Sequence, residues 1–147
     1  NVRFLGLVDR KEMNQIYNMA DVMFLPSYEE LFPMTILEAM NCRLPILVRD
    51  LDIYQPILFD YVQKGRNQAE FVKILKRLKE DPQFYRESAD LAFTGHHFYS
   101  REHVGDMWKN FYERVFQEEQ ERKRAGNTEI VPDRSGILWK DKKQQYI

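Results

Sequence analysis

Two carboxylates, Glu30 and Glu38, stand with seven residues between them in the stretch Pro26-Ser27-Tyr28-Glu29-Glu30-Leu31-Phe32-Pro33-Met34-Thr35-Ile36-Leu37-Glu38-Ala39-Met40. A carboxylate accepts two hydroxyl hydrogen bonds at once, so such a pair suits a ligand rich in hydroxyls. The apolar run Val22-Met23-Phe24-Leu25 ahead of them reads as a buried strand, and a polar loop follows. Pro33 is expected as the first helical residue, because its missing N–H costs nothing there and its φ is already helical. Met34 to Met40 are good helix formers. Strand, acidic loop and helix start, in that order, mark the place where open α/β sheets bind ligands, beyond the carboxyl end of a strand. The helix N-terminus offers free N–H groups and positive potential to an anion. Taken alone, two Glu around a helix start are usually dipole partners or solvated surface. Glu29 adjoins Glu30, but only Glu30 keeps the spacing to Glu38.

The wider pattern joins Ala20-Asp21, Leu25-Pro26-Ser27, Glu30, Phe32, Leu37-Glu38-Ala39-Met40 and Pro45-Ile46-Leu47-Val48. These elements resemble, in order and spacing, the E-x7-E signature of retaining glycosyltransferases of family 4, which have the GT-B fold. The resemblance is strong over roughly the first sixty residues and weak up to about Phe116. Leu31-Phe32-Pro33-Met34-Thr35 resembles glycolipid-forming members from Gram-positive bacteria. The fold class implied is α/β: a Rossmann-like parallel sheet with flanking helices, the truncated C-terminal half of a GT-B fold, followed by a helical C-terminal part.

The donor implied is a nucleotide diphosphate sugar, of the UDP-sugar kind, with no cofactor and no metal. The resemblance makes Glu30 the catalytic-site carboxylate that holds hydroxyls of the donor sugar, and Glu38 the holder of the ribose hydroxyls. Backbone N–H groups around Phe32, Met34 and Thr35 would face the sugar and diphosphate; Thr35 alternatively back-bonds within the helix. Leu7 and Val8 would help hold the base through backbone groups, or simply cover the sheet edge. Family members commonly carry Gly where this chain has Leu31, Pro33 and Arg43. Pro33 cannot donate an N–H, and the bulk of Leu31 is expected to line the sugar pocket. The enzyme implied is a hexosyltransferase whose acceptor domain and basic residues lie upstream, so that this part alone is expected to be inactive. The other reading is a non-catalytic α/β module for nucleotide sensing or protein docking.

Composition bounds these readings. With 147 residues the chain can bury a real core. A net charge of −1 lacks the basic footprint of a nucleic-acid binder. No apolar run approaches a membrane span and no signal peptide is visible, which suggests a cytoplasmic protein, peripheral at the inner membrane face if its acceptor is a glycolipid. The chain starts inside an apolar run without Met, as a fragment would. Cys42, the sole cysteine, reads as core filler. His96 and His97 are adjacent, which is not metal-ligand spacing on one helical face.

Several elements must position the acidic stretch. Val2-Arg3-Phe4-Leu5 reads as a strand, and Asp9 with Glu12 as a capping box for a helix ending near Met19, with Met13, Ile16, Tyr17 and Ala20 on its apolar face. Pro45 to Val48 is a third strand, Ile53 to Leu58 a short helix, and Phe59 to Val62 a last strand closed by Gly65. Apolar strands alternating with helices predict a parallel sheet covered on both faces. Asn67 with Glu70 makes another capping box. Asp81-Pro82 starts a helix that frays near Gly95, and Ser100 caps the last one. That helix carries Val104, Met107, Trp108, Phe111, Tyr112, Val115 and Phe116 as a stripe expected to dock against something. Residues 1–124 are read as the nucleotide-sugar-binding domain. Residues 125–147 are read as a tail, disordered or crossing to the acceptor domain, with Trp139 as an anchor and Lys140, Lys142 and Lys143 available to a membrane surface.

Overall fold

The computed structural model describes residues 2–126. The tail, Trp139 and the three lysines after it lie outside the described residues. One compact unit reaches to Gly105 and a second begins at Asp106.

The first unit is built on a three-stranded parallel sheet in the order β1-β2-β3, with β1 at Met23–Leu25, β2 at Ile46–Arg49 and β3 at Gln63–Gly65. Leu25 pairs with Val48, and Val48 with Lys64. Ile46, Leu47 and Val48 are all buried, as a central parallel strand covered on both faces requires. Helix α1 spans Met13–Met19, α2 Met34–Asn41, α3 Gln55–Leu58, α4 Gln68–Glu80 and α5 Pro82–Phe98; a 3-10 turn at Asp52–Tyr54 leads into α3. The core is one cluster around Ile36, Met40, Ile46, Val48, Tyr54 and Leu58. Each of these side chains contributes about 1.5–3 kcal/mol of transfer free energy, before conformational entropy is subtracted. The α/β class and the parallel sheet are those the sequence implies.

Local differences have local causes. Val2 to Leu5 forms no strand among the described residues; Val2 and Phe4 are exposed and no neighbouring strand offers them a ladder. Asp9 makes no capping box. Its Oδ1 accepts from the Lys11 N–H at 2.8 Å in a turn, and α1 starts only at Met13, where Glu12 gives no side-chain cap. Pro33 is the N-cap rather than the first helical residue, with φ −72° and ψ 115°. The last strand is Gln63–Gly65 rather than Phe59–Val62, because Phe59 holds φ 44° in a tight turn closed by Tyr61 N–H to Leu58 C=O at 3.0 Å. Helix α5 does not fray at Gly95 but runs on to Phe98. Gly95 is buried where a Cβ would come within 2.7 Å of the Tyr61 ring, so the helix uses it for close approach.

The start signals at Asn67, Asp81 and Ser100 all work. Asn67 Oδ1 accepts from the Glu70 N–H at 3.1 Å. Asp81 accepts from the Gln83 and Phe84 N–H groups at 3.0 Å each, and these bonds, that to Phe84 foremost, hold its carboxyl below the usual carboxylate range. Ser100 Oγ accepts from the His103 N–H at 3.2 Å. Helix α6 runs Arg101–Arg124 and passes into the second unit. None of its residues is buried. The aromatic stripe expected to be docked is exposed, its rings packing on one another, Trp108 against Phe111 and Tyr112.

Candidate functional site

The loop from Pro26 to Pro33 leaves β1 at the carboxyl end of the sheet and is clamped at both of its ends. Arg49, the last residue of β2, donates from Nε to the Pro26 carbonyl at 3.0 Å, and its guanidinium lies 3.9 Å from the Tyr28 ring centroid. At the other end the Phe32 ring meets Tyr99 with centroids 5.4 Å apart, and the Tyr99 hydroxyl donates to the Ile57 carbonyl. Burial pushes the Tyr99 hydroxyl up to about 12, with the nearby Tyr61 adding to the effect. Phe32 is therefore an anchor for the loop, and what it can offer a ligand is its backbone.

Glu30 sits half-buried between the clamps. After it, α2 begins without a side-chain cap. The Ile36 N–H bonds the Pro33 carbonyl at 3.0 Å, whereas the N–H groups of Met34 and Thr35 have no backbone acceptor among the described residues. Both residues are exposed, so the positive end of this helix is open to an anion. Leu31 is 84% exposed.

Glu38 projects from the same helix as an exposed residue, but its carboxylate is held. The Tyr17 hydroxyl, from α1, donates to Glu38 Oε2 at 2.8 Å. Burial, then that bond and the Glu38 charge, push the Tyr17 hydroxyl up to about 12, so it remains a donor at neutral pH. A turn further along α2, the Cys42 Sγ donates to Asn14 Oδ1 at 3.1 Å. Burial and the Glu38 charge push the Cys42 thiol up, away from the thiolate a nucleophile needs. Asn14 and Tyr17 of α1 thus face Glu38 of α2 and Cys42 at its C-cap. Leu7 is fully exposed and Val8 half-buried in the segment ahead of α1. Tyr17 links this part of the chain to Glu38.

Tyr17 was legible only as part of an apolar helical face; the signal for more was its phenol, which seeks a partner when its ring is buried. The sequence also holds an Asp-x-Asp spacing at Asp50-Leu51-Asp52, just after β2. Asp50 accepts from Gln55 Nε2 at 3.0 Å on one oxygen and from Arg66 Nε at 2.9 Å on the other. Among the described residues no three His, Cys, Asp or Glu side chains are grouped to hold a metal ion. A cavity of about 240 Å³ lies against β3, α4 and α5, lined by Gln63, Glu70, Lys73, Ile74, Arg77 and Phe84, and contains none of the expected site residues.

This geometry can be set beside known proteins. The profile of the family described as "Glycosyl transferases group 1" matches residues 1–92, well over half of the chain. The chain belongs to this family. Over 114 residues it is 38% identical to the alpha-galactosylglucosyldiacylglycerol synthase of Streptococcus pneumoniae, covering 78% of this chain and 30% of that protein. Over 119 residues it is 29% identical to the processive diacylglycerol alpha-glucosyltransferase of Acholeplasma laidlawii, covering 80% of this chain and 35% of the other. This group 1 chain therefore spans about a third of the length of those relatives. The sucrose-phosphate synthase of Thermosynechococcus elongatus superposes with a TM-score of 0.66 at 21% identity, over 79% of this chain and 30% of that one. That likeness bears on the fold, and it agrees with a Rossmann-like half of a GT-B enzyme. Among the described residues no helix is long and apolar enough to cross a membrane.

Proposed function

We propose that residues 1–124 form the donor-binding part of a retaining glycosyltransferase that takes a nucleotide diphosphate sugar, of the UDP-hexose kind, and extends a glycolipid. In the transfer, an acceptor hydroxyl oxygen bonds the anomeric carbon while the bond from that carbon to the diphosphate oxygen breaks. The electron pair leaves with the nucleoside diphosphate and the hydroxyl proton is released. Glu38 takes the ribose hydroxyls and Glu30 the sugar hydroxyls. The open first turn of α2, at Met34 and Thr35, faces the diphosphate, and Phe32 contributes backbone only. Leu7 and Val8 approach the base. Positioning and stabilisation of charge on the leaving diphosphate supply the rate. The names of the two bacterial relatives support a diacylglycerol-based acceptor. On this reading the protein works at the inner face of the membrane with its acceptor domain as partner.

The observation that carries this reading is the Tyr17–Glu38 hydrogen bond, which fixes an exposed carboxylate about a turn into a helix whose N-terminus is uncapped. The test is titration of the whole protein that carries this chain with uridine diphosphate, followed by saturation-transfer magnetic resonance. Binding is expected, and Glu38→Ala should weaken it about tenfold, as loss of a hydrogen bond to a charged acceptor implies. A protein that ignores the nucleotide, or a variant that binds it unchanged, would make this chain a docking module.

A further inference from the structure

The Tyr54 side chain is almost wholly buried, 1% exposed, within the cluster that holds Ile36, Val48 and Leu58. Its hydroxyl is buried too, and it has no hydrogen-bond partner among the described residues. Orphaned buried hydroxyls are rare in folded proteins and call for a cause. Packing is not the cause, because a phenylalanine would fill the same space without stranding a polar atom. Nor is the backbone loose here: the Tyr54 N–H bonds the Leu51 carbonyl at 2.9 Å.

A complementary group lies nearby. Glu30 is half-buried, and none of the hydrogen bonds between described residues ends on its carboxylate. Strands β1 and β2 are parallel neighbours, so the loop that carries Glu30 and the turn that carries Tyr54 leave the same end of the sheet. The two groups feel one another: burial first, then the Glu30 charge, push the Tyr54 hydroxyl up to about 12, which leaves it a donor. A carboxylate can only accept and a protonated phenol can donate. The other glutamate already shows the arrangement completed, with Tyr17 donating to Glu38.

We infer that Tyr54 is the positioning residue of Glu30, its hydroxyl donating to that carboxylate when the donor sugar is bound, so that the remaining oxygen meets the sugar hydroxyls in a fixed orientation. Each glutamate of the pair then has its own tyrosine, one from α1 and one from the turn after β2. This rests on the donor-binding reading above. It adds that recognition of the sugar, separately from the nucleotide, runs through a side chain that touches neither.

The experiment uses the whole protein and two probes, uridine diphosphate alone and its glucose and galactose esters, titrated calorimetrically. Tyr54→Phe should keep or raise the thermal midpoint, leave the affinity for uridine diphosphate unchanged and weaken the sugar-bearing donor about tenfold. Glu30→Gln should do the same to the donor, and the double variant should be no weaker than Glu30→Gln alone, because the tyrosine acts through that carboxylate. Additive losses, or equal losses for both probes, would assign Tyr54 a general structural role and overturn the inference. If Tyr54→Phe binds donor normally while Glu30→Gln does not, the inference fails and the donor site stands. If Glu30→Gln and Glu38→Ala both bind every probe normally, the donor site itself fails and the inference goes with it.

Discussion

Tyr17 and Glu38 join the first helix of the chain to the helix that opens the acidic site, through a bond of 2.8 Å from a buried phenol to an exposed carboxylate. Its loss should be felt more in binding than in folding. In Tyr17→Phe the ring still fills its place, and Glu38, being exposed, recovers water as a partner. The cost to stability is therefore expected at the low end for a bond to a charged group, about 1 to 1.5 kcal/mol. Without the phenol, Glu38 must be ordered by the ligand, so nucleotide affinity should fall roughly three- to tenfold. Urea denaturation and a uridine diphosphate titration measure the two; unchanged affinity would reduce the bond to a helix-packing contact.

The same phenol gives an alkaline signature. Tyr17 and Tyr54 are both pushed up to about 12 in the folded chain, from about 10 unfolded, burial being the main cause in each. With the folded value the higher, the stabilising contribution is complete below pH 10. It is lost as pH rises from 10 through 12, because the unfolded chain gives up these protons first. Stability should thus decline across that window, and more shallowly in Tyr17→Phe. A denaturation series in urea from pH 8 to 11 reads the slope; equal slopes would show that burial does not hold the phenol neutral.

What the sequence made legible, and what it hid, divides along range of interaction. The central strand Ile46–Arg49 and the helix starts at Asn67, Asp81 and Ser100 are local features, set by apolar runs and by side chains that reach a backbone N–H two or three residues on. The position of β3 was not legible, because it depends on Phe59 adopting a positive φ that no propensity assigns to phenylalanine. Arg43, where the resemblance leads one to expect Gly, has φ 54°, a left-handed conformation that favours glycine. The spacing of Glu30 and Glu38 is a local signal, which singles them out as candidates. The tyrosines could not be found in this way, since Tyr17 looks like core until its bond to Glu38 is seen, and Tyr54 until its hydroxyl is found buried without a partner among the described residues.

Gly95 decides between two opposed effects. A glycine inside a helix costs about 1 kcal/mol relative to alanine, so Gly95→Ala would stabilise an open position. Here the new Cβ would come within 2.7 Å of Tyr61 Cγ and 2.8 Å of its Cβ, close to the root of that side chain, where little can give. Overpacking of this kind costs about 1–3 kcal/mol and should win. Gly95→Ala is expected to lower stability by about 1 kcal/mol or more. Gly105→Ala, where nothing lies within 4 Å of the new atom, should raise it. Opposite signs in urea denaturation confirm the close approach of α5 to Tyr61; two gains would refute it.

Two of the three Asx residues proposed to start helices, Asn67 and Asp9, should behave differently when truncated. Asn67 caps α4 with its side-chain oxygen, and Glu70 answers by accepting from Asn67 Nδ2 at 3.1 Å and from the Arg66 N–H at 2.8 Å. Replacing Asn67 by Ala leaves a first-turn N–H without its acceptor, at a cost of about 1 kcal/mol. Among the described residues the Asp9 side chain accepts only from Lys11, in an exposed turn ahead of α1, and a surface change of that kind is worth within about 0.5 kcal/mol. Asn67→Ala should therefore shift the urea midpoint and Asp9→Ala should leave it nearly in place. Equal shifts would mean that Asp9 caps α1 in solution after all. The helix would then begin closer to Asp9, lengthening the arm on which Tyr17 reaches Glu38.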